Sequence, residues 1–432
     1  MREIDITIAP EKPLLVYGPA KIKLLEGEAH IYGKEIEDEV EVSQYKALPV
    51  ETDNKARLTI EYTVRKPEMK DEGLIGTRVW REEVNRFLDD YGDILILGGT
   101  DSGKTSLTVY IANKAFSRGI TPSIADYDPG QGDIGIPSFI GGGIVQNKIF
   151  SVEEVDGIAY GFIGSTTPMG LEEILIKESE EIYRKLRDKT DFVIMNYHGW
   201  VRGLRAFHSI VEFIEKLRIK KVLVIGNKKL YRNFTVFNEV YGENIELFYV
   251  EKPETTVRNR TVRKMIRERK YREFIEKTKF REALLDLSLI LKEKYGRIRM
   301  QMNSKVLKEI LVNDFGIDRN PDFIFAIKGL IKIYYYSDNV EKVIYRTYSD
   351  SVDIPIEIYV IPRAFLGILS GVKYNGNWVP GICKKVDFNN MKIHMLVPSD
   401  IGNSDNIKEV RIGRVAIDLS GREKGLLKKD IF

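Results

Sequence analysis

The stretch Leu95–Leu107, "LILGGTDSGKTSL", decides the fold. Gly98, Gly103, Lys104 and Thr105 satisfy G-x-x-x-x-G-K-[ST], with an apolar run, Ile94 to Leu97, before the motif and a helix-like run after it. Strand, glycine-rich turn and helix give that spacing its meaning as a phosphate-binding loop. The glycines let backbone N–H groups converge on phosphate oxygens, the lysine adds charge at the β- and γ-phosphates, and the hydroxyl ligates Mg²⁺. Gly98, Gly99, Thr100, Asp101, Ser102, Gly103, Lys104, Thr105 and Ser106 therefore form the expected cradle of a nucleoside triphosphate.

Around the loop the periodicity alternates between strand and helix. "VWREEVNRFLDDYG" carries a helical stripe at Val79, Trp80, Val84, Phe87 and Leu88. Strands are expected near 122–127, 192–196 and 221–226, and helices over 104–117, 170–188 and 204–217. This alternation predicts an α/β domain, a central parallel sheet covered by helices on both faces. On either side the pattern changes. "AKIKLLEGEAHIYGKEIEDEVEV" and "ARLTIEY" alternate apolar with polar residues, and from about 300 onward "LIKIYYY", "PIEIYVI", "KIHMLVP" and "EVRIGRVAID" do the same. The expected division is a small N-terminal β domain over 1–73, a P-loop domain over 74–283 and a mostly β C-terminal domain over 284–432.

Composition narrows the class. With 67 Lys and Arg against 64 Asp and Glu, net charge +3 does not by itself indicate nucleic-acid binding. One cysteine, Cys383, excludes an internal disulfide, and four scattered histidines offer no zinc spacing. No segment has the 18 or more apolar residues a membrane span needs. The N-terminus lacks the apolar core of a signal peptide. A cytoplasmic protein is expected.

Chemistry-bearing residues follow the loop. In "SIADYDPGQGDIGIP", Asp126 and Asp128 stand at a strand end two apart, so both carboxylates point one way. They can share a metal, divide metal and base duties, or simply make an acidic turn. A guanine-specific N-K-x-D is broken: Asn227 and Lys228 are followed by Leu230 where the aspartate belongs. Gly98-Gly99-Thr100 also lacks the extra lysine of one dimeric ATPase class, so ATP is the expected nucleotide. In "VIMNYHGWV", Trp200 lies just past a strand end, as a base-stacking platform or as packing. "RNRTVRKMIRERKYR", 258–272, holds eight Lys and Arg against one acid, Glu268. Arg263 and Arg267 are one helical turn apart, which suits a lid over transferring phosphates or a track for a nucleic-acid backbone.

Taken together, these residues resemble the polynucleotide 5'-hydroxyl kinase family of RNA processing, as a prokaryotic-type member. The family's D-x-D-x-G-Q is met by Asp126, Asp128, Gly130 and Gln131; its clasp, [T/S]-x-G-W, by Tyr197, His198, Gly199 and Trp200; its lid R-x-x-x-R by Arg263 and Arg267, with Arg258 upstream; and "IGSTTP" places Thr166 and Thr167 on its phosphate side. Tyr197 departs from the clasp's Thr or Ser. The outer β segments, including "FLGILSGVKYNGNWVPGI", are similar to the family's flanking domains.

The resemblance implies transfer of the ATP γ-phosphate to the 5'-OH of RNA, with DNA as a further acceptor and RNA-processing proteins as partners. It gives Lys104, Asp126, Asp128, Arg263 and Arg267 catalytic roles, and Thr105 with Asp128 the Mg²⁺. Gln131, Thr166, Thr167, Trp200 and Arg258 go to the substrate. A second reading is a catalytically silent ATP-binding scaffold of an RNA-processing complex, which has less physical reason to keep a paired-arginine lid.

Overall fold

The computed structural model describes the chain except residues 72–75, 243, 255–257, 292–304, 322, 328–329, 338–345, 348–351, 354, 363–366, 388–389, 391, 403–405 and 427–432. The first expected domain boundary, between 73 and 74, lies outside the described residues, as do Phe365 and Leu366 of the quoted C-terminal stretch. The chain forms two compact units, Met1–Arg267 and Glu268–Phe432.

In the first unit, the alternation at the N-terminus becomes two larger antiparallel sheets and a two-stranded ribbon of His30–Ile31 and Lys34–Glu35. Arg2–Ile8, Ala56–Tyr62, Ala20–Glu26 and Glu39–Val42 form one larger sheet, in that spatial order; Ala47–Val50, Leu14–Tyr17 and Glu68–Met69 form the other. Ala56–Tyr62 buries every second residue, as its sequence predicts.

The central sheet is built on β1 (Ile94–Gly98), β2 (Ser123–Tyr127), β3 (Phe139–Ile144), β4 (Gly157–Phe162), β5 (Val193–Tyr197), β6 (Lys221–Ile225) and β7 (Glu246–Val250). Its order is β4-β3-β2-β5-β1-β6-β7. β2, β5, β1, β6 and β7 run parallel, as expected, while β3 and β4 pair antiparallel at one edge, so the sheet is mixed. The phosphate-loop strand β1 is central, and chain order reverses beside it. Such a switch point opens a crevice at the strands' carboxyl ends.

Helices cover both faces: α1 (Gly76–Asp89) and α2 (Lys104–Ser117) on one, α3 (Glu172–Arg187), α4 (Leu204–Leu217) and α5 (Lys228–Tyr241) on the other. Although both faces are buried, the strands obey strict alternation. Ile94, Ile96, Ile124 and Ile194 pack toward α1 and α2, while Leu95, Leu97, Tyr127, Met195 and Tyr197 pack toward α3, α4 and α5. The first core is continuous with the N-terminal sheets, whose Ile22, Leu58 and Ile60 join Trp80, Phe87 and Ile111. Buried Asn113 of α2 ties the layers by donating to the Tyr32 and Ile149 carbonyls at 2.9 and 2.8 Å. Asn227 serves as N-cap of α5, accepting from Leu230 N at 3.0 Å, a structural use for the remnant of N-K-x-D.

α6 (Arg260–Lys277) follows. The second unit contains a six-stranded sheet, Phe280–Asp286, Lys392–Pro398, Asn377–Asp387, Ile368–Tyr374, Ile407–Ile417 and Glu423–Leu426 in spatial order, and a four-stranded sheet from Phe323–Ile327 to Arg346–Thr347.

Candidate nucleotide and phosphoryl-transfer site

The loop leaves β1 through Gly98 and enters α2 at Lys104. A Cβ on Gly98 would lie 2.4 Å from Ile225 Cγ2 and 2.6 Å from Ser102 Oγ, so the turn admits no side chain there. Gly103 takes φ +97°, the left-handed conformation that glycine adopts without cost. Lys104 is buried, and its Nζ donates to the Gly98 and Gly99 carbonyls at 3.0 Å each. Burial pushes its ammonium pKa down, and the carboxylates of Asp128, Asp101 and Asp126 oppose that shift. Three acids and one lysine thus share the mouth of the loop. Ser106, one turn into α2, meets the Tyr32 hydroxyl of the N-terminal segment at 3.0 Å. Burial raises that phenol to about 12.

The carboxylates sit where strand periodicity puts them. Asp126 and Asp128 share the α2 side of β2, and Tyr127 between them is buried on the other, donating to the Ser179 carbonyl at 3.2 Å. Asp126 is fixed: its Oδ1 accepts from Asn196 Nδ2 at 3.0 Å and its Oδ2 from Asp133 N at 2.9 Å. Asp128 is half-buried, with Oδ1 accepting from Gly130 N at 2.9 Å. Gln131 lies in the same turn, its N–H donating to the Asp128 carbonyl at 3.2 Å. A Cβ on Gly130 would lie 3.0 Å from the Thr166 carbonyl, which brings the 163–168 loop against the acidic turn. Thr167 is exposed, and its Oγ1 accepts from Met169 N at 3.4 Å within its own turn.

Sequence reasoning missed Asn196. β5 is inserted between β1 and β2, so the residue beside the loop strand is Asn196 rather than an aspartate. Its Nδ2 lies 3.3 Å from Thr105 Oγ1 as well as 3.0 Å from Asp126, and its buried Oδ1 has no hydrogen-bond partner. Only the strand order reveals this bridge. The signal present in sequence was its period-two alignment with Ile194 on the loop-facing side.

That alternation also settles Tyr197. Its ring is fully buried against Phe213, centroids 4.8 Å apart, on the face away from the loop. The phenol cannot replace the clasp's Thr or Ser hydroxyl at longer reach. His198 is buried, and burial and then the Lys104 charge lower its pKa to about 3, so it is neutral and unsuited to carry a proton. Its Nδ1 accepts from Trp200 N at 3.2 Å, and the His198 and Trp200 rings lie stacked with centroids 6.2 Å apart. Gly199 brings the clasp onto the loop: a Cβ there would stand 2.5 Å from Thr100 Oγ1. Trp200 is half-buried just beyond.

The lid reaches the same loop. Asn259 caps α6, accepting from Val262 N at 2.9 Å. Arg263 Nη2 lies 2.7 Å from Asp101 Oδ2, and Arg258 N donates to that same oxygen at 3.0 Å. Arg267 follows one turn along α6, half-buried. Phosphate loop, acidic turn, clasp and the first turn of the lid, spread from 98 to 263, therefore meet around the loop, at Thr105, Thr100 and Asp101.

The donor set fits a magnesium ion held jointly with phosphate oxygens. Among the described residues no group of three His, Cys, Asp or Glu could form a protein-only cage, whereas Thr105 stands beside the acidic strand end with an orphaned buried carbonyl, Asn196 Oδ1, next to it.

Comparison with known proteins agrees with this arrangement. Residues 98–277 match the family model of the mRNA cleavage and polyadenylation factor CLP1 P-loop. The polyribonucleotide 5'-hydroxyl-kinase of Methanocaldococcus jannaschii is 26% identical over 350 residues, covering 78% of this chain and 90% of the relative. That of Pyrococcus abyssi is 26% identical over 347 residues, covering 78% and 91%. The solved Clp1p of a Clp1p–Pcf11p complex superposes with TM-score 0.64 at 12% identity, covering 96% of this chain and 98% of that one, a likeness of fold.

Proposed function

We propose that this chain, which belongs to the CLP1-type P-loop family of RNA-processing kinases, is an ATP-dependent polynucleotide 5'-hydroxyl kinase. It moves the γ-phosphoryl group of ATP to the 5'-OH of RNA, forming a new P–O bond as the bond to ADP breaks. The observation that carries this reading is the convergence of acidic turn, clasp and lid on one phosphate loop, through Thr105, Thr100 and Asp101.

Phosphoryl transfer depends on positioning and on neutralising charge. Lys104 and the lid arginines, Arg263 and Arg267, supply positive charge around the moving group. Asp128, at the mouth of the acidic turn, orients the acceptor hydroxyl and takes its proton. Asp126 acts in support, because its carboxylate is engaged by Asn196 and Asp133 N. Thr105 and Asp128 would hold Mg²⁺, which when bound adds charge compensation at the phosphates. Gly98 to Ser106 cradle the triphosphate. Trp200 stacks the terminal base, so that the end of the strand is recognised rather than its sequence. Gln131, Thr166, Thr167 and Arg258 line the acceptor side.

Among the described residues no helix is long and apolar enough to cross a membrane; a cytoplasmic site of action and RNA-processing proteins as partners are part of the proposal. The test is transfer of label from γ-labelled ATP to matched oligonucleotides ending in 5'-OH or 5'-phosphate. Labelling of the 5'-OH strand alone supports the kinase; ATP binding without transfer leaves the scaffold.

A further inference from the structure

A carboxylate inside a phosphate loop is electrostatically adverse, since it repels the anion the loop is built to hold. Asp126 and Asp128 have a metal and a hydroxyl to serve; Asp101 has neither. It also occupies a left-handed backbone conformation, φ +55°, which costs any residue with a Cβ but is tolerated by aspartate and asparagine. Its side chain is 8% exposed, and its Oδ2 receives two groups from the lid, Arg263 Nη2 at 2.7 Å and the Arg258 backbone N–H at 3.0 Å. Both donors flank the Asn259 cap at the amino end of the 18-residue helix α6, where the helix dipole adds its own attraction for a carboxylate. The contact is charge-assisted on the guanidinium side.

We propose that Asp101 is the positioning residue of the lid: one carboxylate ties the first turn of α6 to the phosphate loop, so that loop and lid arginine take up the transfer geometry as a unit. This rests on the kinase reading. Asp101 touches no reacting atom in this role and acts through Arg263. Its negative charge is the cost of the coupling, which predicts that neutralising it weakens transfer without weakening ATP binding.

The test uses the full chain with Asp101→Asn, which keeps the size and the tolerance of positive φ, alone and combined with Arg263→Ala or Arg267→Ala. Asp101→Asn is expected to slow single-turnover transfer about tenfold, while ATP binds at least as tightly as to wild type. Combined with Arg263→Ala it adds no further loss, because the tethered group is already gone. Combined with Arg267→Ala the losses multiply. A wild-type rate for Asp101→Asn, weaker ATP binding, or multiplying losses with Arg263→Ala would overturn the assignment. A second readout does not depend on transfer. Limited trypsin digestion should cleave after Arg258, Arg260, Arg263 or Lys264 faster in Asp101→Asn than in wild type, and equal rates refute the tether even if the wild type transfers nothing. Absence of transfer with a trypsin difference would count against the kinase reading alone.

Discussion

On one side of Lys104, Asp126 and Asn196 stand at the ends of strands buried in the central sheet, each held by neighbours on both flanks. On the other side, Arg263 stands on the first turn of a helix, 30% exposed, and meets the loop through the carboxylate of Asp101. The acidic wall is therefore part of the core, and the basic wall is docked onto it. The difference teaches a division of labour. Under the proposed kinase reading, the carboxylates that would serve metal and hydroxyl are built into the sheet, while the arginines that would close over the moving phosphate ride on a helix docked to the loop.

The contrast can be broken from the docked side first. Arg267→Ala should lower transfer by roughly 3 kcal/mol or more of transition-state stabilisation, on the order of a hundredfold, with the melting temperature unmoved. Rate and thermal unfolding measured together check it; a large stability loss would make α6 part of the core instead. Gly199→Ala acts at the seam. The new Cβ would stand 2.5 Å from Thr100 Oγ1, so the loop must shift, and we expect the ATP KM to rise by about tenfold or more in steady-state kinetics.

On the rigid side the effect should appear in folding. Asn196→Leu strips Asp126 of a donor and leaves its buried carboxylate under-satisfied, at a cost of about 2 kcal/mol in denaturant unfolding, with a higher Mg²⁺ requirement for transfer. An unchanged denaturation midpoint would show that the bridge is not structural. His198 sharpens the comparison through pH. Its pKa is lowered from 6.5 to about 3, first by burial and then by Lys104, so below pH 6.5 the unfolded chain binds a proton that the folded chain refuses. Stability contributed by the neutral ring is full above pH 6.5 and falls as pH drops toward 3, by up to about 1.4 kcal/mol per pH unit. Unfolding midpoints between pH 7 and 5 should show a shallower acid slope in His198→Gln than in wild type.

Much of this was legible in the sequence because it is local. The phosphate loop, the matched direction of Asp126 and Asp128, and helix 204–217 each follow from spacing within a few residues. The N-terminal alternation did too. What escaped depends on partners far along the chain. Half of Phe139–Ile144 is glycine, Gly141, Gly142 and Gly143, so it lacks the apolar-polar alternation that marks a strand. Its antiparallel place at the sheet edge came from pairing alone. Asn196 gains its place between Thr105 and Asp126 only from the order β2-β5-β1. Asp101 read as one more loop residue, because its ion pair spans 162 positions. Tyr197 is the instructive case: the period-two rule that aligned the aspartates also turns this phenol away from the loop.

The most direct measurement compares ATP binding with single-turnover transfer to a 5'-OH RNA in wild type and Asp128→Ala. We expect both proteins to bind ATP and transfer to fall by about a hundredfold or more in the variant. Transfer by Asp128→Ala at the wild-type rate, or a wild type that binds ATP and phosphorylates no 5'-OH end, would contradict it.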